Sequence, residues 1–449
     1  MPVILTLPPP KSPVWYLAYG SNLSSRKFIH DRGITPLGIA VVAVPGFTLT
    51  LDSAGVPYSE PAYASISPGE CVHAEKPMPL IGTAYLVTDE MYKKVIKSEG
   101  GGIAYREVEV QALVEASTDR RVITARTIEL FGQVDFPRLR KSQLGAQFWS
   151  VYVECPRTSQ NYSDSIYREI IHDTLQQIDL VYRLIKEFPE YLIYAASSYD
   201  IKSQLASGSS RVSSLMGIEG LHQIGNSASI LRMYHALGVR YATLTHTCHN
   251  IYADSEEPET PLHGGLSERG RQLVREMNRI GMMVDLSHTS FQTQRDTIDI
   301  SLAPVVYTHS SAYAIREHSR NVPNDILLSL KQNDGLIMIT FYPEFTSAQP
   351  DKASLEDVAD HIEYVGNFIG YRHVGIGSDF DGMDHGPSGL EDVSKYPDLV
   401  KELLNRGVSR ENLTLVTSEN IVRVLEVVER VAADMSTVKP LEDDTKPFF

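Results

Sequence analysis

The C-terminal two thirds of the chain repeat one pattern. A short aliphatic or β-branched run ends at a polar residue, and a stretch with helical spacing follows. Seven such runs read as strands: GAQFWSVYVE from Gly145, SSLMGIE to Glu219, RYATLTH to His246, MMVDLSH to His288, PVVYTH to His309, GLIMITFY to Tyr342 and VGIGSD to Asp379. Between them, LSERGRQLVREMNRIG predicts a helix capped by Ser267 and closed by Gly281. A second helical pattern, SLEDVADHIEYVGNFIG, precedes the Asp379 strand. Alternating strands and helices predict an α/β fold of the (β/α)8 type, a TIM-like barrel. Such a barrel has eight strands, so one is not visible in this pattern.

The first 130 residues follow a different pattern and predict a small β-rich α+β unit. WYLAYGSNLSSRKF opens with an apolar strand that breaks at Gly20-Ser21-Asn22. LIGTAYLVTDEMYKKVIKSEGGG gives a strand, a helix carrying Glu90 and Lys93, then Glu99 before three glycines. YREVEVQAL alternates strictly, as a half-buried strand does, with Glu107 and Glu109 facing outward. Gly132 and Pro137 interrupt the periodicity near 128–140. The expected domains are 1–130 and 131–435, with a tail over 436–449.

The strand ends carry the candidate chemistry. Glu219, His288, His309 and Asp379 each close an apolar run. Side chains at that position on separate strands of a barrel converge at its C-terminal face. Glu with two His is a ligand set that suits zinc. In the N-terminal unit, the Gly20-Ser21-Asn22 turn exposes successive backbone N–H groups, a small anion nest. The plainer readings are an ordinary strand-to-helix turn there and a solvated helix-end carboxylate at Glu99. His249 and His263 read as solvated loop residues, Asp381 and Asp384 as structural loop carboxylates, and His222 as a residue that orients a ligand.

From Gly132 onward the chain resembles the membrane (renal) dipeptidase family of zinc peptidases. The resemblance rests on GQVDFPRLRKSQLGAQFWSVYVEC, GIEGLHQIGNSASILRMYHALGVRYATLTHTCHN, VDLSHTS, PVVYTHSSAYAIREHSRNVPNDIL, GIGSDFDGM and LEDVSKYPDLVKELLNRG. It covers roughly 300 residues, enough for a barrel domain. It implies that Glu219 is a metal-bridging carboxylate and that His288 and His309 are zinc ligands. It further implies that His246 and Arg320 bind substrate, Arg320 by its terminal carboxylate, and that Asp379 is a catalytic carboxylate. The family opens its barrel with a His-x-Asp pair on the first strand that completes a first zinc site; no His-x-Asp triplet occurs in this chain, so the resemblance implies that the first barrel strand is missing with it. The expectation is therefore at most one zinc ion, bound more weakly than in a two-metal site.

The N-terminal unit resembles the γ-glutamylcyclotransferase family. Tyr19, Gly20, Ser21, Asn22 and Leu23 match its YGSNL signature, and Glu99 with Tyr105 matches its catalytic segment. The resemblance implies that Glu99 is a general base toward the substrate α-amino group. The Tyr19–Leu23 segment would bind the γ-glutamyl moiety through backbone amides.

Net charge is −15 and no long basic run occurs, which argues against nucleic acid or an anionic membrane as a partner. Neither end carries a signal or anchor pattern, so a cytoplasmic location is expected. Three cysteines, at 71, 155 and 248, are too few for a disulfide scaffold. Cys155 and Cys248 match positions paired in secreted relatives, and in a cytosolic chain free thiols are expected. The expected partners are γ-glutamyl peptides and dipeptides; a homodimer is compatible with the sequence. The two resemblances together suggest a bifunctional enzyme that trims glutathione or its adducts, as in fungal sulfur metabolism of the gliotoxin type. The alternatives are a barrel kept as a binding or dimerisation module, with the N-terminal unit alone active, and a merged reading of two neighbouring genes.

Overall fold

The computed structural model describes residues 13–18, 34–45, 47–54, 62–68, 80–98, 105–114, 122–130, 132–156 and 162–442. The chain divides into two compact units, Met1–Pro137 and Arg138–Phe449.

In the first unit the strands are β1 (Val14–Ala18), β2 (Gly38–Val44), β3 (Phe47–Ala54), β4 (Ala62–Pro68), β5 (Leu80–Val87), β6 (Tyr105–Val114) and β7 (Val122–Leu130). Five of them close a small barrel in the order β1-β5-β2-β6-β7, while β3 and β4 form a separate antiparallel pair. Alternation sends Leu17, Val42, Val44, Ala84, Val110, Ala112 and Ala125 into one apolar cluster. Glu109 is exposed on β6, as the alternation predicts. The helix Asp89–Ser98 buries Tyr92 and Val95 against Tyr16 and Tyr85. Tyr19, Gly20, Ser21, Asn22, Leu23, Glu99 and Cys71 lie outside the described residues.

The second unit is a parallel α/β half-barrel. Its strands are β8 (Ala146–Val151), β9 (Leu192–Tyr194), β10 (Val212–Glu219), β11 (Val239–Thr243), β12 (Met283–Asp285), β13 (Val306–Ser310), β14 (Leu336–Ile339) and β15 (Val374–Ile376). Seven of them form one hydrogen-bonded path, β15-β14-β13-β12-β11-β10-β8. These are the seven strands read from the sequence. β9 was not among them. It pairs with Val212–Ser214 of β10, on the edge that β11 takes over from Met216. β8 and β15 end the path, and no strand among the described residues joins them.

Continuous burial explains the long apolar runs. Every residue of β12, β13 and β14 is buried, as a sheet covered on both faces requires. Leu215, Met283, Val306, Leu336 and Met338 share a core cluster with Val424, Leu425 and Val428 of the helix Asn420–Asp434. Each such side chain contributes roughly 1.5–3 kcal/mol on burial. The helix Glu268–Ile280 has its Ser267 cap on the Gly270 amide, and Gly281 ends it at φ 83°. Ser354 and Asp357 form a capping box on the helix Leu355–Ile369.

One polar anchor in this unit makes a pH prediction. Glu276 is buried and takes hydrogen bonds from Arg232, Arg279 and the Leu441 amide. Burial opposes its ionisation, but these donors outweigh burial and lower its pKa. A depressed carboxyl pKa gives stability that is full above the unfolded value of about 4.3 and is lost as pH falls through the folded value. Glu276→Gln should therefore lower stability at neutral pH by about 2 kcal/mol. The gap to wild type should narrow below about pH 4. Urea titrations at both pH values measure it; an unchanged gap contradicts the assignment.

Candidate active site

Glu219 is the last residue of β10, and His309 lies within β13. His288 and Asp379 each stand three residues beyond the ends of β12 and β15. Both adopt left-handed backbone conformations, at φ 63° and 64°. Each costs on the order of 1–3 kcal/mol, strain that typically collects where side chains are aimed for function. The His288 carbonyl is held by the Thr245 hydroxyl at 2.9 Å and the Glu256 amide at 3.0 Å. Gly377 lets the chain after β15 pass close to β13, because a Cβ there would lie 1.9 Å from the Thr308 carbonyl oxygen.

Three ligand atoms converge. Glu219 Oε1 lies 3.2 Å from His288 Nε2 and 3.1 Å from His309 Nε2, and the two Nε2 atoms are 2.9 Å apart. A tetrahedral zinc with bonds of about 2.0–2.1 Å sets its donors about 3.3 Å apart. The spacing and the donor chemistry both fit one zinc ion. On the far side of the carboxylate, Glu219 Oε2 accepts from the Ser150 hydroxyl at 3.0 Å.

His246 also belongs to the cluster. Its Nε2 is 3.9 Å from Glu219, and its ring packs on Tyr152 and His288 at 4.6 and 4.3 Å. Burial lowers its pKa to about 4 despite the nearby Glu219 charge, so it is a neutral imidazole near pH 7. Burial likewise opposes ionisation of Glu219, but hydrogen bonds from His288 and His309 hold its carboxyl well below the usual range. Burial raises Asp379 to about 6; Glu219 pushes the same way, and His309 and Arg320 pull against it.

Arg320 is buried beside His309. Its Nη2 donates to the His309 carbonyl at 3.1 Å and its Nη1 to the Ser310 hydroxyl at 3.4 Å. Nε has no hydrogen-bond partner, and the Glu256 carboxylate stands 3.9 Å from it. A buried guanidinium with a spare donor can receive a carboxylate.

Other side chains of the site escape a reading of the sequence. Asp285 is fully buried and accepts from the Thr243 and Thr308 hydroxyls, both at 2.6 Å. Thr308 Oγ1 lies 2.9 Å from His309 Nδ1. With its own proton given to Asp285, that hydroxyl accepts from Nδ1–H, which would leave Nε2 as the ligating atom once a metal replaced its hydrogen bond to Glu219. Such outer partners typically tune metal affinity by about 10- to 100-fold. Asp285→Asn should weaken zinc binding by about that factor; equal zinc retention against a competing chelator contradicts the chain of bonds.

Several expectations are corrected. Cys155 and Cys248 form a disulfide and are not free thiols. Their loops bring together residues 93 apart, a proximity that cysteine number cannot reveal. His222 makes no hydrogen bond to Glu219; Gln223 does, accepting from the Glu219 amide at 3.0 Å. His249 is buried between the Thr260 carbonyl and the Ser255 amide rather than solvated. His263 is exposed but tied to the Asn250 carbonyl at 2.8 Å. Asp381 and Asp384 are exposed.

A parallel α/β half-barrel with a Glu–His–His cluster at its strand ends defines a metallohydrolase-type centre. Residues 109–439 match the model of the membrane dipeptidase family, peptidase family M19, and the chain belongs to that family. The match begins on β6 and β7, which lie in the five-stranded barrel. Dipeptidase aclJ of Aspergillus oryzae is 64% identical over 322 residues, which are 72% of this chain and 76% of that protein. A metallopeptidase of Rhodobacter sphaeroides, solved with a phosphinate mimic of the dipeptide L-Ala-D-Ala, aligns at TM-score 0.60 and 25% identity. That alignment covers 66% of this chain and 90% of the solved one. A γ-glutamyl cyclotransferase structure aligns over 29% of this chain and 75% of its own, at TM-score 0.22 and 19% identity, too low to assign a fold.

Proposed function

We propose that the second unit is a zinc-dependent dipeptidase, a (β/α)8-type barrel without its first strand, acting on dipeptides such as Cys-Gly or its S-conjugates. The observation that carries this reading is the convergence of Glu219, His288 and His309 within 3.2 Å beside a buried arginine with a spare donor. Zinc held by these three residues supplies Lewis acidity, polarising a carbonyl and making water more acidic. Arg320 receives the terminal carboxylate of the dipeptide and sets the register of the scissile bond. Asp379, with its raised pKa, takes the proton from the attacking water and passes it to the leaving amine. His246 is neutral and close to the cluster, placed to donate or accept a hydrogen bond to the substrate.

For the first unit we propose, from its YGSNL and Glu99 sequence resemblance, a second activity, γ-glutamylcyclotransferase, with Glu99 as base and Tyr19–Leu23 as the binding segment. The pair of activities would trim glutathione or its adducts, removing 5-oxoproline first and splitting Cys-Gly second. The 64% identity to a protein of Aspergillus oryzae named as a dipeptidase favours the dipeptidase reading, and the pairing of the two activities is what suggests fungal sulfur-containing secondary metabolism. The proposed compartment is the cytoplasm, where thiol pools act against the Cys155–Cys248 disulfide.

The absence of His-x-Asp favours one rival reading, a barrel kept as a binding module. Dialysis against a chelator, zinc replenishment and a Cys-Gly assay on the full chain separate the two. Hydrolysis that is lost and then restored supports the dipeptidase; no hydrolysis at any zinc level supports the module. Release of 5-oxoproline from a γ-glutamyl peptide by wild type, but not by Glu99→Gln, tests the first unit separately.

A further inference from the structure

A second cluster of ligand-type side chains lies beside the Glu–His–His cluster. Cys155 follows β8, His222 follows β10 and Cys248 follows β11. One atom from each, the two sulfurs and an imidazole nitrogen, all lie within 4.8 Å of one another. The sulfurs are joined as a disulfide. His222 is 1% exposed. Its Nε2 is 2.7 Å from the Val153 carbonyl and donates to it, and its buried Nδ1 has no hydrogen-bond partner. An imidazole that gives one N–H to a backbone carbonyl and keeps its other lone pair free is in the state from which histidine ligates metal.

We propose that reduction of the Cys155–Cys248 disulfide turns this cluster into a zinc site, with Cys155, Cys248 and His222 as its protein ligands. One dithiol, or two monothiols, supplies the two electrons and is itself oxidised to a disulfide. The two cysteines become thiols, and binding of the divalent ion displaces their two protons to solvent. Tetrahedral zinc with bonds of about 2.3 Å to sulfur and 2.0–2.1 Å to nitrogen needs its donors roughly 3.3–3.8 Å apart. The sulfurs must part from bonding distance, and the imidazole nitrogen, no more than 4.8 Å from either of them, must close in by at most about an ångström and a half. Both cysteines lie half-buried in loops beyond their strands.

The consequence reaches the rim of the dipeptidase centre. Tyr152 and His246, whose rings pack at 4.6 Å, stand three and two residues before the two cysteines. A covalent staple under oxidising conditions and a metal staple under reducing ones would hold those loops together in either state.

The test uses the full-length Cys71→Ser protein titrated with Co2+ under anaerobic conditions, before and after reduction by a phosphine. A thiolate-to-cobalt charge-transfer band should appear only after reduction and saturate at one bound ion more than the oxidised protein takes up. The Glu–His–His cluster contains no thiolate, so the band reports this site alone and is independent of peptidase activity. Cys248→Ser should abolish the band. His222→Gln should form the disulfide normally but bind cobalt at least about tenfold more weakly, the lower end of what outer-partner changes cost. The proposal is overturned by a reduced protein that lacks the band, whether or not its circular dichroism shows it folded. A band that persists in Cys248→Ser also overturns it.

Discussion

Asp379→Asn is expected to lower kcat for Cys-Gly by about 100- to 10,000-fold, the usual contribution of a positioned acid–base group, with KM near wild type. The amide keeps the shape of the carboxylate but cannot accept a proton. Burial and Glu219 raise the Asp379 pKa to about 6 against the pull of His309 and Arg320, so near neutral pH it is ionised yet close to its midpoint. Wild-type kcat should accordingly fall as pH drops below about 6. The low-pH limb should vanish from the residual activity of the Asn variant. Steady-state kinetics across pH measure both effects. Equal turnover by the two proteins would reject Asp379 as the proton carrier.

The second large effect is expected at Arg320. Arg320→Ala should cost about 2–5 kcal/mol in kcat/KM, or roughly 30- to 5,000-fold, because the substrate carboxylate enters a buried site without its charge partner. Arg320→Lys keeps the charge but loses the planar fork and should fall between. A dipeptide amide lacks the terminal carboxylate, so wild type and Arg320→Ala should hydrolyse it alike. An equal loss on the amide would show instead that Arg320 acts through the His309 carbonyl it holds at 3.1 Å.

Much of this site can be read from the sequence because burial writes itself as apolar runs. β13 is buried along its whole length, so PVVYTH stands out and delivers His309 at its end. β9 is only three residues long, too short to show a period, and it is recognisable only from the β10 edge it pairs with. Asp285 sits in an equally apolar run, yet nothing local says that two threonine hydroxyls from neighbouring strands hydrogen-bond to it. The left-handed backbone of His288 is equally hidden, since Thr245, Ser255 and Glu256, which brace its carbonyl, come from a loop more than 30 residues earlier. The Cys155–Cys248 pair is visible in the sequence as positions paired in secreted relatives, and the free-thiol expectation rests on the reducing environment of a cytosolic chain, not on the positions themselves. Ser150, on β8, occupies the far side of Glu219. That contact follows from the direct pairing of β8 with β10, a register that no single segment contains.

The account rests on one zinc centre built by Glu219, His288 and His309. The most direct test is to titrate metal-free protein, disulfide intact, with zinc while measuring both bound metal and Cys-Gly hydrolysis. Activity should rise with zinc and level off at one ion per chain, and Glu219→Gln should neither hold the ion nor hydrolyse the dipeptide. Two tightly held zinc ions per chain, or undiminished hydrolysis by Glu219→Gln, would contradict it.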